Sequence, residues 1–289
     1  MNLFVFGLGF TARHFAEREA GGFGIVRATV TDTARADAIA CDTSIAMRTF
    51  GPQSDDLRIA ADLADTDMLL VSAPPDRDGD TVLRRYGGAI RESRIAWIGY
   101  LSTIGVYGDH EGALIDEETT PRPASPRSRG RLAVEESWLR LGAETGKAVQ
   151  VFRLSGIYGP GRNPLVKLRE GKSQRIIKAG QVFNRIHVDD IATTLSASIE
   201  KPRPGAVYNV TDDEPTPPQV VTEYAANLAG LPLPPEVDFE TADLSPMARS
   251  FYGENKRVRN RLIREELGVD LAYPTYREGL AALLADASG

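Results

Sequence analysis

An open α/β fold, a doubly wound parallel sheet with helices on both faces, is predicted by three observations. Short apolar runs without strict alternation recur at residues 3–6, 24–31, 67–72, 94–101 and 148–154. Such runs mark strands buried on both faces. Stretches that read as helices separate several of them, near 10–20, 80–93 and 129–145. Parallel strands need right-handed crossovers of this kind. Finally, the first run breaks into Gly7-Leu8-Gly9-Phe10-Thr11-Ala12, a G-x-G-x-x-A turn placed to open a helix.

The elements follow in order. Gly21-Gly22 stops the first helix, and 24–31 forms the second strand. Residues 32–66 carry the weakest pattern and are read as two further short elements. The strand at 67–72 ends sharply at Ala73-Pro74-Pro75, a loop at the carboxyl edge of the sheet. After Leu154 the rhythm changes to a Gly/Pro-rich loop at 156–164, a short helix at 164–171, a helix at 186–198 and a strand at 206–210. Residues 171–180 supply positive charge or form a surface hairpin. Pro215, Pro217 and Pro218 precede a helix at 219–229, and a mostly helical tail occupies 250–283. This reading assigns 1–160 to a Rossmann-type dinucleotide-binding domain, joined by the returning segment 187–210. Residues 161–186 and 211–289 form a smaller C-terminal α/β substrate lobe, with a cleft between the two.

Bulk composition narrows the function. The 289 residues are 42% hydrophobic and 26% charged, as in ordinary soluble domains. A net charge of −6 argues against a general nucleic-acid binder. Cys41 is the one cysteine, and His14, His110 and His187 lack metal-ligand spacing, so neither a disulfide nor a metal site is expected. No apolar stretch nears the roughly 20 residues that cross a bilayer. With a strand at the very start and no basic leader, the expectation is a cytoplasmic protein.

The glycine turn predicts the cofactor. Gly7 permits the tight turn, Gly9 allows close approach of a pyrophosphate, and Ala12 is small enough for helix–sheet packing. Amides at the helix start then point at the phosphates. Asp32 stands about 20 residues further on, where a carboxylate binds the ribose hydroxyls of NAD. Arg35 follows and suits the 2′-phosphate of NADP. NAD is preferred, NADP is the alternative, and ordinary helix-start residues would look the same.

Several ordered blocks extend this reading. They are Leu101-Ser102-Thr103-Ile104-Gly105-Val106-Tyr107-Gly108, then Arg153 to Asn163, Arg185-Ile186-His187-Val188-Asp189-Asp190 and Tyr208-Asn209-Val210-Thr211-Asp212-Asp213. Together with the glycine turn, the chain resembles the extended and atypical short-chain dehydrogenase/reductases, among them the NAD-dependent epimerase/dehydratase-like families. The resemblance implies that Ser72, Ala73 and Pro74 run beside the adenosine and ribose. It implies that Thr103 hydrogen-bonds the reacting oxygen near the nicotinamide. Tyr107, Tyr158, Asn163 and Arg185 become substrate-contact candidates, as does Arg257 in a segment like the family's Ser-x-Lys-Arg. Asp189 or Asp190 is expected to cap the helix that follows. Family dimers pair through the helices corresponding to those beside Glu92 and Val134, which makes a homodimer an expectation.

One departure stands out. Active family members carry Tyr and Lys four apart on one helix face. Here Arg127 takes the tyrosine place and Arg131 the lysine place. Arg131 can still donate to a ribose, but a guanidinium is a fixed, permanently charged fork. Arginine titrates above about 12, so Arg127 is unsuited to acid–base work near neutral pH. Three readings stand together. The proton donor lies elsewhere, with Tyr107, Tyr158, His110 or His187 as candidates. Alternatively the arginines bind an anionic substrate or cofactor phosphate in a catalytically silent NAD(P)-dependent protein, or Arg122, Arg127, Arg129 and Arg131 are a solvated helix start. The leading expectation is hydride transfer on a small, anionic or sugar-like substrate.

Overall fold

The computed structural model describes residues 1–51 and 56–286. Its first unit comprises Met1–Thr103, Ser125–Arg153 and Ile191–Tyr208, and its second Ile104–Ala124, Leu154–Asp190 and Asn209–Gly289. The segment 104–124, which the sequence reading kept with the first domain, thus groups with the second unit.

Among the described residues, a seven-stranded sheet organises the first unit. Strands β1 (Asn2–Phe6), β2 (Ile25–Val30), β3 (Ala46–Thr49), β4 (Met68–Val71) and β5 (Trp97–Thr103) are joined by strands Ala148–Leu154 and Val207–Val210. The spatial order is β3, β2, β1, β4, β5, Ala148–Leu154, Val207–Val210. Pairings β1–β2, β2–β3, β1–β4 and β4–β5 are all parallel. The order therefore reverses between β1 and β4, the kind of position at which doubly wound sheets open a crevice at their carboxyl edge.

Successive strand residues face opposite sides of a sheet. Phe4, Phe6, Leu69, Val71, Ile98, Tyr100, Val149 and Val151 share one core cluster. They pack with helices α3 (Ile59–Ala64), α4 (Thr81–Glu92) and α5 (Pro126–Thr145) through Leu63, Ile90, Trp138 and Leu141. The intervening Leu3, Val5, Leu70 and Phe152 are fully buried as well. Both faces are covered, which explains why the strands read as continuous apolar runs.

Helix α1 (Phe10–Arg18) follows β1, and α2 (Thr33–Asp42) follows β2. The described residues of 32–66 thus hold three elements, α2, β3 and α3, where two were expected; short, partly polar segments on a sheet edge leave little periodicity to read. Helix α5 begins three residues earlier than expected. Ser125 accepts the Ser128 amide at 3.0 Å, and Pro126 occupies the first turn, where its missing N–H costs nothing. Arg127 is consequently helical.

A buried ion pair ties α5 to the sheet. Arg153 Nη2 donates to Glu135 Oε2 at 2.8 Å, and the Ser102 hydroxyl donates to Glu135 Oε1. Glu135 is 1% exposed and Arg153 6%. Neither charge would tolerate burial without the other.

The second unit is built from short parallel pairs: Gly156–Tyr158 with Arg185–His187, Arg175–Ile177 with Glu236–Asp238, and Leu114–Ile115 with Arg257–Val258. Residues 171–180 are therefore not a hairpin, because their strand pairs with one some 60 residues later. Arg185 is on a strand that precedes helix Val188–Glu200, and the mostly helical 250–283 tail also includes the short strand Arg257–Val258. Helices Pro164–Arg169, Pro218–Leu228 and Tyr276–Asp286 bury Leu165, Val221, Ala225 and Leu280 around Tyr158 and Tyr276. Asp190 receives the Ala272 amide at 2.7 Å and the Tyr273 amide at 3.1 Å, so this carboxylate anchors the C-terminal segment. None of the helices among the described residues is long and apolar enough to cross a membrane.

Replacing Glu135 by Ala removes the carboxylate that accepts from the buried Arg153 guanidinium. Urea unfolding is expected to show a loss of about 3–5 kcal/mol. Replacing both partners by apolar residues of similar volume should restore most of it.

Candidate functional site

The site of the first unit begins where β1 meets β4. Gly7 adopts φ +85, and a Cβ there would sit 2.7 Å from Ala73 N and 2.9 Å from Ala73 Cα. Only glycine fits, because both the backbone conformation and the contact exclude a side chain. The Gly7 amide donates to Thr29 Oγ1 at 2.9 Å, and the Leu8 amide to Thr29 O at 2.8 Å. The turn is thereby fixed against β2. Ser72 and Ala73 amides both donate to Phe6 O, at 2.8 and 2.9 Å.

Gly9 differs from Gly7. Its φ of −82 is ordinary, and a Cβ there would meet no atom within 4 Å. Gly9 is the N-cap of α1, offers no side chain to the first-turn amides, and no acidic residue lies in that turn. The helix start therefore presents N–H groups and the positive end of its dipole to whatever approaches. Thr11 and Ala12 are buried against the fold, which lets α1 lie close to the sheet. These features fit a dinucleotide pyrophosphate.

Asp32 and Arg35 lie next to this turn. Asp32 caps α2 by accepting the Arg35 amide at 2.9 Å and remains exposed. Arg35 Nη2 donates to Leu8 O at 3.2 Å. The structure thus brings Gly7–Ala12, Asp32, Arg35 and Ser72–Ala73 to one edge. Pro74 is exposed at the end of that loop.

Thr103 is the half-buried last residue of β5. Arg131 reaches that strand from α5: its Nη1 donates to Tyr100 Oη at 3.1 Å and to Leu101 O at 3.0 Å. Its guanidinium carbon lies 5.7 Å from the Tyr100 ring centroid. Tyr100 stacks on Trp138, whose indole N–H donates to Asp80 Oδ2 at 3.1 Å. Burial raises the Asp80 carboxyl above its ordinary range, against its hydrogen bonds from Leu83 and Trp138. Burial likewise raises the Tyr100 phenol, opposed by Arg131. Arg127, one turn before Arg131, is exposed and has no hydrogen bond or ion pair among the described residues.

The second unit places its candidates differently. Tyr107 is fully buried, with its hydroxyl donating to Asn209 Oδ1 at 2.8 Å. Tyr158 is buried too, edge-on to His187, and its hydroxyl faces Thr275 O at 3.4 Å. Burial drives the Tyr158 phenol well above its usual range. Asn163 caps the helix Pro164–Arg169 and donates to Gly159 O at 2.9 Å, so its amide is engaged within its own loop. Arg257 is exposed and donates to Gly112 O. Arg185 donates through Nη1 to Phe183 O at 2.9 Å and Thr216 O at 3.1 Å, and burial lowers its pKa, opposed by Asp212. Tyr158 and Arg185 stand on paired strands, while Asn163 caps a helix and Arg257 stands on the strand paired with Leu114–Ile115.

Two contributors carried no sequence signal. Tyr100 sits in an apolar run, and only its contact with Arg131 distinguishes it. Asp212 reads as one of three consecutive acids, yet it is 1% exposed.

Comparison with known proteins gives this arrangement a context. Residues 87–211 match the NAD dependent epimerase/dehydratase family. Protein YeeZ of Escherichia coli (strain K12) is 31% identical over 228 residues, 76% of each chain. A functionally unknown conserved protein from Silicibacter pomeroyi DSS is 49% identical, with a TM-score of 0.90 over 99% of this chain and 98% of that one. The dTDP-glucose 4,6-dehydratase of Bacillus anthracis str. Ames, solved in complex with NAD, shares the fold at a TM-score of 0.77 and 19% identity, covering 100% and 96% of the two chains. A glycine turn at the reversal of a Rossmann-like sheet, the matched segment and the relative across three quarters of the chain agree: this protein belongs to the NAD-dependent epimerase/dehydratase family.

Proposed function

We propose that the protein is an NAD(P)-dependent enzyme of oxidoreductase or epimerase/dehydratase type, acting on a small, anionic or sugar-like substrate. The observation that carries this reading is the glycine turn, where Gly7 is closed to a side chain and Gly9 is open. NAD is the preferred cofactor, because exposed Asp32 offers a carboxylate to ribose hydroxyls. Arg35, resting on Leu8 O, leaves room for NADP as the alternative.

A bound nicotinamide supplies hydride acceptance and return. The chain's own residues do the rest of the work. The α1 amides hold the pyrophosphate, and the loop at Ser72–Pro74 flanks the adenosine side. The Thr103 hydroxyl orients a substrate oxygen at the carboxyl end of β5. Arg131 is held by Tyr100 and Leu101, so its remaining N–H groups are pre-oriented toward the ribose, with little conformational freedom left to lose. Arg127, without a protein partner, provides charge for an anionic substituent. A guanidinium offers hydrogen-bond donors only, so the proton that accompanies hydride transfer must come from another group or from water.

A second reading has its own support. The hydroxyls of Tyr107 and Tyr158 are buried and turned toward protein acceptors, and the Tyr/Lys positions hold arginines. These features suit a catalytically silent NAD(P)-dependent binding or regulatory protein.

Nicotinamide absorbance, followed across a panel of carbonyl and alcohol substrates, separates the two. Substrate-dependent turnover that falls about a hundredfold in Thr103→Val with NAD affinity retained supports the enzyme. Cofactor binding without turnover supports the silent protein. By calorimetry, Arg131→Ala should weaken NAD about tenfold, and Arg127→Gln should leave NAD affinity within about twofold.

A further inference from the structure

Two side chains of α5 meet one ring of the sheet. Arg131 and Trp138 stand seven residues apart, two turns along one face of the helix, and both reach Tyr100. Trp138 stacks on the Tyr100 ring with centroids 6.4 Å apart and an interplanar angle of 26°. The Arg131 guanidinium carbon lies 5.7 Å from the same centroid, and its Nη1 donates to the Tyr100 hydroxyl at 3.1 Å. Tyr100 is fully buried and Trp138 likewise.

Trp138 is tied in its turn. Its indole N–H donates to Asp80 Oδ2 at 3.1 Å, while Asp80 Oδ1 accepts the Leu83 amide at 2.8 Å and so caps α4. An indole has one donor and no acceptor, so this bond sets the orientation of the ring on which Tyr100 rests. The carboxyl of Asp80 supplies one oxygen to each donor. Asparagine would keep a single acceptor. Whichever way its amide turned, either the Leu83 amide or the Trp138 indole would face an N–H.

We propose that Asp80 and Trp138 are positioning residues for the cofactor: acting through Tyr100, they hold the Arg131 guanidinium so that its remaining N–H groups meet the nicotinamide ribose, a role that rests on the proposed contact between Arg131 and that ribose. Arg131 is only half-buried. Released from Tyr100, it would lose rotamer freedom at the moment a ligand immobilised it, which weakens binding about fivefold. Asp80 and Trp138 touch no cofactor in this scheme, and their effect reaches it by way of Arg131 alone.

Direction separates positioning from charge. If the Asp80 carboxyl acted through a negative charge, its removal would strengthen the binding of an anionic pyrophosphate. Loss of positioning weakens it. The two roles therefore give opposite signs for one substitution.

The test titrates the full chain with NAD, or with NADP if that binds more tightly, by calorimetry, with folding checked by circular dichroism. Asp80→Asn and Trp138→Phe should each weaken the dinucleotide about fivefold. Phenylalanine lacks the N–H that asparagine would oppose, so Asp80→Asn should add less than about twofold in the Trp138→Phe background. In an Arg131→Ala background neither substitution should move the residual affinity by more than about twofold, whereas a merely structural role would weaken both backgrounds alike. Unchanged or tighter binding by Asp80→Asn, or equal weakening with and without Arg131, overturns the proposal. If Asp80→Asn does not fold, Trp138→Phe in the two Arg131 backgrounds decides it. A wild type that binds neither dinucleotide defeats the cofactor reading along with this role. A wild type that binds, and loses about tenfold in Arg131→Ala while staying indifferent to Asp80→Asn and Trp138→Phe, defeats this role alone.

Discussion

Where β1 and β4 end side by side, one stretch of backbone lies directly against another. Gly7 meets Ala73 so closely that no side chain fits between them, and the remaining geometry at this edge follows from that approach. It sets the point at which the chain leaves β1, and hence where α1 begins. Thr29 holds the turn from the other side through Gly7 and Leu8. The Arg35 side chain closes on Leu8 O. Three loops after parallel strands thus converge at the position where the strand order reverses, and a helix N-terminus points into the same region. The proposed phosphate site rests on this backbone geometry.

Charge at the carboxyl end of β5 is of a different kind. Of the α5 arginines, Arg131 is held and Arg127 is exposed. Tyr100 and Leu101 fix Arg131, and the Tyr100 ring is itself braced by Trp138 and Asp80. Such a cation presents a fixed fork of donors and so can orient and stabilise. Glu135, one turn beyond Arg131, is committed to Arg153 and Ser102. In the proposed reading, α5 serves as an electrostatic and mechanical element, with Glu135 fastening it to the sheet.

The sequence made some of this visible and concealed the rest for physical reasons. Buried parallel strands such as Ala148–Leu154 are apolar on both faces, so their boundaries could be read directly. Gly7 and Gly9 are legible as a turn glycine and an open one, but the backbone that Gly7 meets, Ala73, is set by tertiary packing and leaves no mark in the sequence. Residues 32–66 hid an edge strand and two short helices, where partial exposure dilutes the hydrophobic pattern. Asn163 and Asp190 were read by type as polar contacts or caps; the structure shows Asn163 capping a helix and holding Gly159 O, and Asp190 binding the amides of Ala272 and Tyr273, a partnership across some 80 residues. Asp212 was lost in a run of acids, since burial is a property of tertiary packing and leaves no local mark.

The central claim is that backbone amides after β1 grip two linked phosphates, and Gly9 allows it to be tested without disturbing the fold. A Cβ at Gly9 would meet no atom within 4 Å, so Gly9→Val should melt within a few degrees of the wild type. Calorimetric titration with NAD and with NADP should show saturable binding of at least one by the wild type and none by Gly9→Val. Equal binding by both proteins, or failure of the wild type to bind either dinucleotide, would contradict the claim.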